Sequence, residues 1–300
     1  MDTANLKTFI AAAELASFSL AAERLYLTQP AVSKRISALE AELGTRLFDR
    51  IGRRVSLTEA GRMLLPRARD ILAEIDDSLR QIANLSGEVG GHLSIGTSHH
   101  IGLHRLPPVL RAYTRAWPKV ELDLRFMDSE AACHAVQTGQ LELGIVTLPL
   151  TPLADLDSEC IWADPLRIVA GREHPLAGQR HIRPAQLATH AAILPAHGTY
   201  TRALLERAIA SEAGSLQVSM TTNYLETIKM LVSVGLGWSV LPQTMLSDDL
   251  QALDVPGLPL VRQLGVVHHR QRTLSNAART MLQQLRAGSD KGATAQESLL

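Results

Sequence analysis

Apolar positions recur at helical spacing through the first third of the chain and in short strand-like bursts beyond it. Leu6, Phe9, Ile10 and Ala13 lie three and four apart and predict one helix, and after Ser17-Phe18-Ser19 a shorter helix turns Ala21, Ala22 and Leu25 inward. A third helix is predicted within LTQPAVSKRISALEAEL, Leu27 to Leu43. Thr28 suits its N-cap, and Pro30 is tolerated in the first turn because the amide it lacks would have no helical partner there. Val32, Ile36, Leu39 and Leu43 form the apolar stripe, and Gly44 ends the helix. The remaining faces carry Gln29, Ser33, Lys34, Arg35 and Ser37. Such a helix buries one side and offers amide, hydroxyl and cationic groups on the other, starting at an end that attracts anions. Two helices joined through Tyr26-Leu27 predict a helix-turn-helix whose second helix fits a major groove.

Next, alternation from Leu47 to Thr58 around Ile51-Gly52-Arg53-Arg54 predicts a hairpin with a basic tip, a wing. A long helix is predicted from Thr58 to about Leu85. Its Leu65, Ala68, Leu72, Ile75, Leu79 and Ile82 alternate by three and four, a seam that calls for a second helix and hence for self-association. Pro66 should bend it early. Ser86 to Gly91, SGEVGG, reads as a hinge.

Beyond the hinge, strands alternate with helices: LSIGTS, a helix from about Gly102 to Trp117, VELDLRFM, a helix near Glu130 to Thr138, and LELGIV. A second lobe starts near Leu166 to Gly171 and takes in AAILP, helices over Tyr200 to Ala213 and Glu226 to Val234, and GWSVLP. The strand Leu264 to His269 and the helix Asn276 to Leu285 return to the first lobe, so two segments, near Cys160 to Arg167 and Val261 to Val266, cross between lobes. The fold class is therefore α+β multidomain, with a parallel α/β arrangement in the larger part. The expected divisions are a winged helix-turn-helix over 1–58, a linker and dimerisation helix over 59–87, a two-lobed domain over 88–290 and a flexible tail over 291–300.

Composition refines this picture in few places. Three hundred residues at 46% apolar content can bury a substantial core. The formal net charge is zero, yet nine Lys or Arg stand against four Asp or Glu from Lys34 to Arg69, where phosphate contacts would fall. Two cysteines, Cys133 and Cys160, form no Cys-x-x-Cys pair and suit a reducing cytoplasm. The N-terminal apolar run is broken by Glu14 and lacks a basic lead, and no segment approaches the roughly 20 apolar residues of a membrane span, so a cytoplasmic location is expected.

With these residues in view, the chain resembles the LysR-type transcriptional regulators from end to end. LASFSLAAERLYLTQPAVSKRISALEAELGTRLFDRIGRRVSLTEAGRMLLPRAR is similar to the family's winged helix-turn-helix and linker helix without a gap. LSIGTS, LPPVLRAYTRAWPKVEL, LELGIV, PLRIVAGREHPLA and VSVGLGWSVLP follow in family order. They resemble a periplasmic-binding-protein-like effector domain of two subdomains. The resemblance implies a DNA-binding regulator, not an enzyme, that works as a homodimer or homotetramer on promoter DNA, with RNA polymerase as a further candidate partner. It places Thr28, Gln29, Pro30, Ser33, Lys34 and Arg35 on DNA, with Arg53 and Arg54 on the wing and Leu65, Leu72, Ile75, Leu79 and Ile82 at the dimer contact. Lys34-Arg35 departs from the Arg-Gln of many relatives, which leaves the base preference open. Chemistry agrees: a Gln amide reads adenine bidentately, and Lys binds guanine acceptors or a phosphate.

Other chemistries find little support. GLGW, Gly235 to Trp238, lacks the third glycine of a dinucleotide loop and follows a helix, and no Walker-type loop, His-Glu-x-x-His or Gly-x-Ser-x-Gly occurs. His99, His100 and His104 cluster, as do His268 and His269, but adjacent histidines point apart and no Cys-His spacing completes a zinc site, so no metal and no cofactor is expected. A small ligand is expected where strands end and helices begin. Thr97, Ser98, His99 and Thr147 would face the cleft from one lobe, and His197, Thr199 and Asn223 from the other. The apparent lack of acidic residues there points to a small organic or inorganic anion as effector.

Overall fold

The computed structural model describes residues 1–51, 54–210 and 214–289, so Arg53, the end of the predicted helix over 200–213 and the tail over 291–300 lie outside the described residues. Two compact units divide at Gly87/Glu88.

In the first unit, α1 (Thr3–Leu15), α2 (Phe18–Arg24) and α3 (Gln29–Leu43) are followed by the hairpin β1 (Phe48–Ile51) and β2 (Arg54–Leu57) and by the long α4 (Glu59–Asn84). Each of the four helices begins on a polar side chain that accepts a main-chain N–H: Asp2, Ser17, Thr28 and Thr58. Gly44, in the left-handed region at φ 65°, stops α3. Leu6, Phe9, Ala12, Ala21, Val32, Ile36, Leu39, Leu47 and Phe48 form one core, in which the Phe48 ring stands edge-on to Phe18 and tilted to Phe9. The Glu40 carboxylate accepts from the amides of Leu47 and Phe48 and so fastens α3 to the first strand of the wing. Leu43 is exposed, because the stripe rotates away from the core over the last turn of α3. α4 runs unbroken through Pro66.

The second unit begins with β3 (Gly91–Thr97), then α5 (His99–His104), α6 (Leu106–Ala116), β4 (Val120–Phe126), α7 (Ser129–Gln137) and β5 (Leu143–Thr147). The helix expected over Gly102 to Trp117 is thus two, starting earlier and broken at Arg105. Pro107 and Pro108 explain the break, since they supply no N–H and are accommodated only in a first turn. β6 (Leu156–Gly171), a single strand of 16 residues, carries the chain into the second lobe. There follow α8 (Pro184–Ala188), β7 (Ala192–Leu194), α9 (Tyr200–Ile209), β8 (Val218–Thr221), α10 (Leu225–Ser233), β9 (Ser239–Pro242) and β10 (Leu250–Ala252). β11 (Leu260–His269) returns beside β6, and α11 (Asn276–Ala287) closes on the first lobe.

One sheet threads both lobes in the order β10-β6-β11-β5-β3-β4, with β9 also on β6, while β7 and β8 pair separately. β3 is parallel to β4 and β5, and β11 runs antiparallel to β5 and β6. First-lobe residues Leu93, Ile95, Leu143, Ile145 and Val266 lie under Tyr113 and Met281, and second-lobe residues Ile168, Leu194, Leu205 and Val240 surround Trp238. The Trp238 indole donates to the Leu187 carbonyl at 2.9 Å. The lobes are joined by the paired strands β6 and β11, whose register shifts between Leu264 and Gly265.

A Cβ at Gly265 would fall onto the Glu159 carbonyl of the neighbouring strand. Gly265→Ala should therefore lower stability by roughly 1–3 kcal/mol through backbone displacement, read as a lower urea midpoint for the unfolding transition of the second unit.

Candidate DNA-reading helix and effector cleft

Thr28, Gln29, Pro30 and Lys34 are exposed on α3, with Ser33 half-buried beside them. The Gln29 amide donates to the Ser33 hydroxyl at 3.0 Å, so one helical turn sets the orientation of both polar groups. Arg35 differs from the expectation: it is half-buried and its guanidinium donates to Thr8 of α1 at 3.4 Å, which makes it in part a clamp between helices. Arg54 opens β2. Tyr26, at φ 53° in the turn before α3, is 97% exposed, a protruding aromatic that sequence reading took for a mere connection.

The α4 seam divides in two. Leu65 and Leu72 lie partly buried against the core of the first unit, since period-matched leucines serve an intramolecular and an intermolecular stripe equally. Ile75, Leu79, Ile82 and Leu85 are exposed in the single chain.

Between the lobes lies a cleft with a cavity volume of about 60 Å³. Ser98, His99, Thr147, Thr199 and Asn223 line it as expected. Thr97 does not: its buried hydroxyl donates to the Ile145 carbonyl at 2.8 Å, within the sheet. Nor does His197, which is exposed two residues before the end of its loop. Residues that sequence reading missed complete the lining, notably His100, Asp128, Glu130, Thr201, Tyr224 and Arg262. Asp128 and Glu130 overturn the expectation of a site without acidic groups; they precede and open α7, a position read only as a helix start.

These side chains already bridge the lobes. Asn223 donates to Asp128 at 2.7 Å, the Tyr200 amide at the start of α9 donates to Glu130 at 2.5 Å, and His104 lies 3.1 Å from Glu226 of α10. The His99 ring sits 4.8 Å from Tyr224 and 5.2 Å from Phe126. At the floor, Arg262 of β11 and Asp164 of β6 are direct cross-strand partners with an N···O distance of 2.6 Å, both buried. Arg262 also donates to Thr201 at 3.1 Å, and Arg105 stands 3.6 Å from Asp164.

The floor is incompletely satisfied. Of five buried side-chain nitrogen or oxygen atoms without a hydrogen-bond partner among the described residues, four are here: both ring nitrogens of His100, Asp164 Oδ1 and Arg262 Nη2. Each such atom costs free energy on the order of 1–3 kcal/mol unless something completes it. Burial, and next the nearby Arg262 charge, push His100 down to about 3, so its ring is neutral with one donor and one acceptor. Burial raises the Glu130 carboxyl above its ordinary value, against the hydrogen bond from Tyr200. Burial also pushes the Cys133 thiol up to about 11, which removes thiolate reactivity at neutral pH.

A winged helix-turn-helix followed by a long helix and a two-lobed α/β unit with an interlobe cleft defines a DNA-binding regulator with an effector domain. Residues 86–290 match the LysR substrate binding domain, and residues 3–62 match the bacterial regulatory helix-turn-helix protein, lysR family. The chain belongs to the LysR family of transcriptional regulators; it is not an enzyme. The HTH-type transcriptional activator CmpR of Synechocystis is 30% identical over 97% of this chain and 96% of its own. Full-length CbnR, solved in complex with its target DNA, shares the fold at a TM-score of 0.63 and 22% identity, over 96% of this chain and 100% of CbnR. The regulatory domain of Synechocystis CcmR, solved in complex with 2-PG, gives a TM-score of 0.60 at 27% identity, covering 67% of this chain and 99% of that domain. No helix among the described residues is long and apolar enough to cross a membrane.

The raised Glu130 carboxyl has a consequence for stability. Its folded pKa lies above the unfolded 4.5, so its contribution is fully present below 4.5 and is lost as pH rises through the folded value. Glu130→Gln, which keeps an acceptor for Tyr200, should flatten the dependence of stability on pH just above 4.5, measured by urea unfolding across that window.

Proposed function

We propose that the protein binds a pseudo-palindromic promoter site as a homodimer or homotetramer in the cytoplasm. In this reading Gln29, Ser33 and Lys34 enter the major groove, Thr28 and Pro30 approach the backbone, and Arg53 and Arg54 of the wing take flanking phosphates. Ile75, Leu79 and Ile82 meet a second copy of α4, and two-fold protein symmetry is mirrored in the DNA. The bound regulator acts on RNA polymerase at that promoter.

The effector is a small anion that also donates a hydrogen bond, and it occupies the interlobe cleft. The observation that carries this is the orphaned Arg262 Nη2 at the floor of a cleft lined by Asp128 and Glu130. A buried cationic donor asks for an anionic acceptor, whereas the carboxylates reject a ligand with acceptors only and accept from one with a hydroxyl or a bound proton. A volume of 60 Å³ holds a few non-hydrogen atoms, since a single water needs about 10–15 Å³ measured in the same way. Ser98 and Thr147 in the first lobe and Thr199 in the second supply neutral hydrogen bonds. A ligand touching both lobes favours one interlobe angle and so repositions the DNA-binding units.

Four measurements test the reading. Lys34→Ala should leave folding intact and lower the slope of log affinity against log salt by roughly one on promoter DNA, and Leu79→Glu with Ile82→Glu should yield monomers by light scattering; normal binding at every salt concentration, or an unchanged mass, contradicts it. For the cleft, hydrogenphosphate should raise the thermal midpoint more than sulfate, with a gain of about 2.7 kcal/mol at a hundred times the dissociation constant. Arg262→Lys, which keeps the charge but loses the guanidinium fork, should weaken phosphate at least tenfold. Equal responses to both ions would contradict the role of the carboxylates.

A further inference from the structure

His100 and His104 stand one helical turn apart on α5, four residues from each other, and their rings approach to 4.8 Å between centroids. In the sequence this cluster shows no site, because His99 and His100 are adjacent and diverge and no Cys-His spacing accompanies them. The relevant pair is the one at four-residue spacing, which places both rings on one helix face. The fold then adds what no spacing along the chain discloses, Glu226 from the first turn of α10 in the other lobe. Among the described residues these three form a group whose donor atoms all lie within 4.8 Å of one another. His100 is buried and neither of its ring nitrogens has a partner, so its lone pair is uncommitted.

We propose that His100, His104 and Glu226 bind a zinc-class divalent cation that bridges the two lobes, with its fourth position open. Two imidazoles and a carboxylate form a donor set suited to this ion, and magnesium or calcium would require oxygen in place of nitrogen. Bonds of about 2.0–2.1 Å place tetrahedral ligands roughly 3.3 Å apart. The His104–Glu226 separation of 3.1 Å is close to that already, and side-chain rotation brings the third donor in. Arg262 and Arg105 oppose positive charge at the His100 ring; Asp164 pairs with both, and Glu226 supplies one negative charge to the ion. The remaining positive charge favours water or an anion in the open position. Such an ion pins α5 to α10 and holds the lobes at one angle, beside the small anion proposed above, since His100 also lines that cleft.

The test uses the full-length protein after treatment with a chelator. Cobalt(II) should bind at one equivalent per chain with the visible absorption of a tetrahedral site, zinc should displace it and raise the thermal midpoint, and magnesium should do neither. His104→Ala and Glu226→Gln, both at half-exposed side chains, should each weaken cobalt at least tenfold, with their stability in chelator as the reference. Absence of a one-equivalent spectrum, or unchanged affinity in both variants, overturns the site and leaves His104 and Glu226 as an interlobe hydrogen bond. Phosphate titrated with chelator present reports on the anion alone, so its stabilising effect without any zinc effect overturns only the metal site.

Discussion

The buried pair of Arg262 and Asp164 governs the arrangement of the effector domain. The two residues face each other across β6 and β11, the strands that carry the chain between lobes, so their bond is made where the lobes join. Two charges withdrawn from water are tolerable only if each is paired and hydrogen-bonded, and removing one partner of such a pair costs on the order of 3–5 kcal/mol. Asp164 fixes one edge of the guanidinium, and Thr201 of α9 takes a second N–H. The remaining Nη2 is buried without a hydrogen-bond partner, on a residue that lines the cleft. A fixed, buried, unsatisfied donor is a preorganised ligand group, because no conformational freedom remains to be lost when a ligand arrives.

Around this floor the lobes meet through polar contacts, Asn223 on Asp128, the Tyr200 amide on Glu130 and His104 on Glu226, beside the ring contact of His99 with Tyr224. Water or a ligand can replace each of them at small cost, whereas the apolar cores on either side, around Tyr113 and around Trp238, cannot open without exposing large buried surfaces. The angle between lobes is therefore the adjustment that exposes least apolar surface. The first unit follows the same economy, with an apolar core under α1, α2 and α3 and an exposed polar edge on α3 from Thr28 to Lys34.

Much of this was legible along the chain. Thr28, Pro30 and Gly44 marked the bounds of α3, and the Val32-Ile36-Leu39 stripe marked its buried face, because capping and periodicity are local. The strands β3, β5 and β11 were legible for the same reason. What escaped depends on distance along the chain. Arg262 and Asp164 are ninety-eight residues apart and neither sits in a motif, so no pattern links them. Glu130 and Asp128 looked like an ordinary helix start until α9 was brought opposite. Thr97 misled because its hydroxyl, at a strand end, had a carbonyl of β5 beside it. Leu65 and Leu72 pack partly on the core of their own unit, which period alone does not disclose, because it does not say which neighbour a stripe meets.

The central claim is that a donor-bearing anion completes the cleft floor at Arg262. Anomalous diffraction at the arsenic edge, from crystals of the full-length protein grown with arsenate as the phosphate analogue, tests it most directly. The account predicts one arsenic per chain between the lobes, with an arsenate oxygen about 2.7–3.2 Å from Arg262 Nη2. Arsenic found only on the outer surface, with Arg262 Nη2 still lacking a ligand, would contradict it.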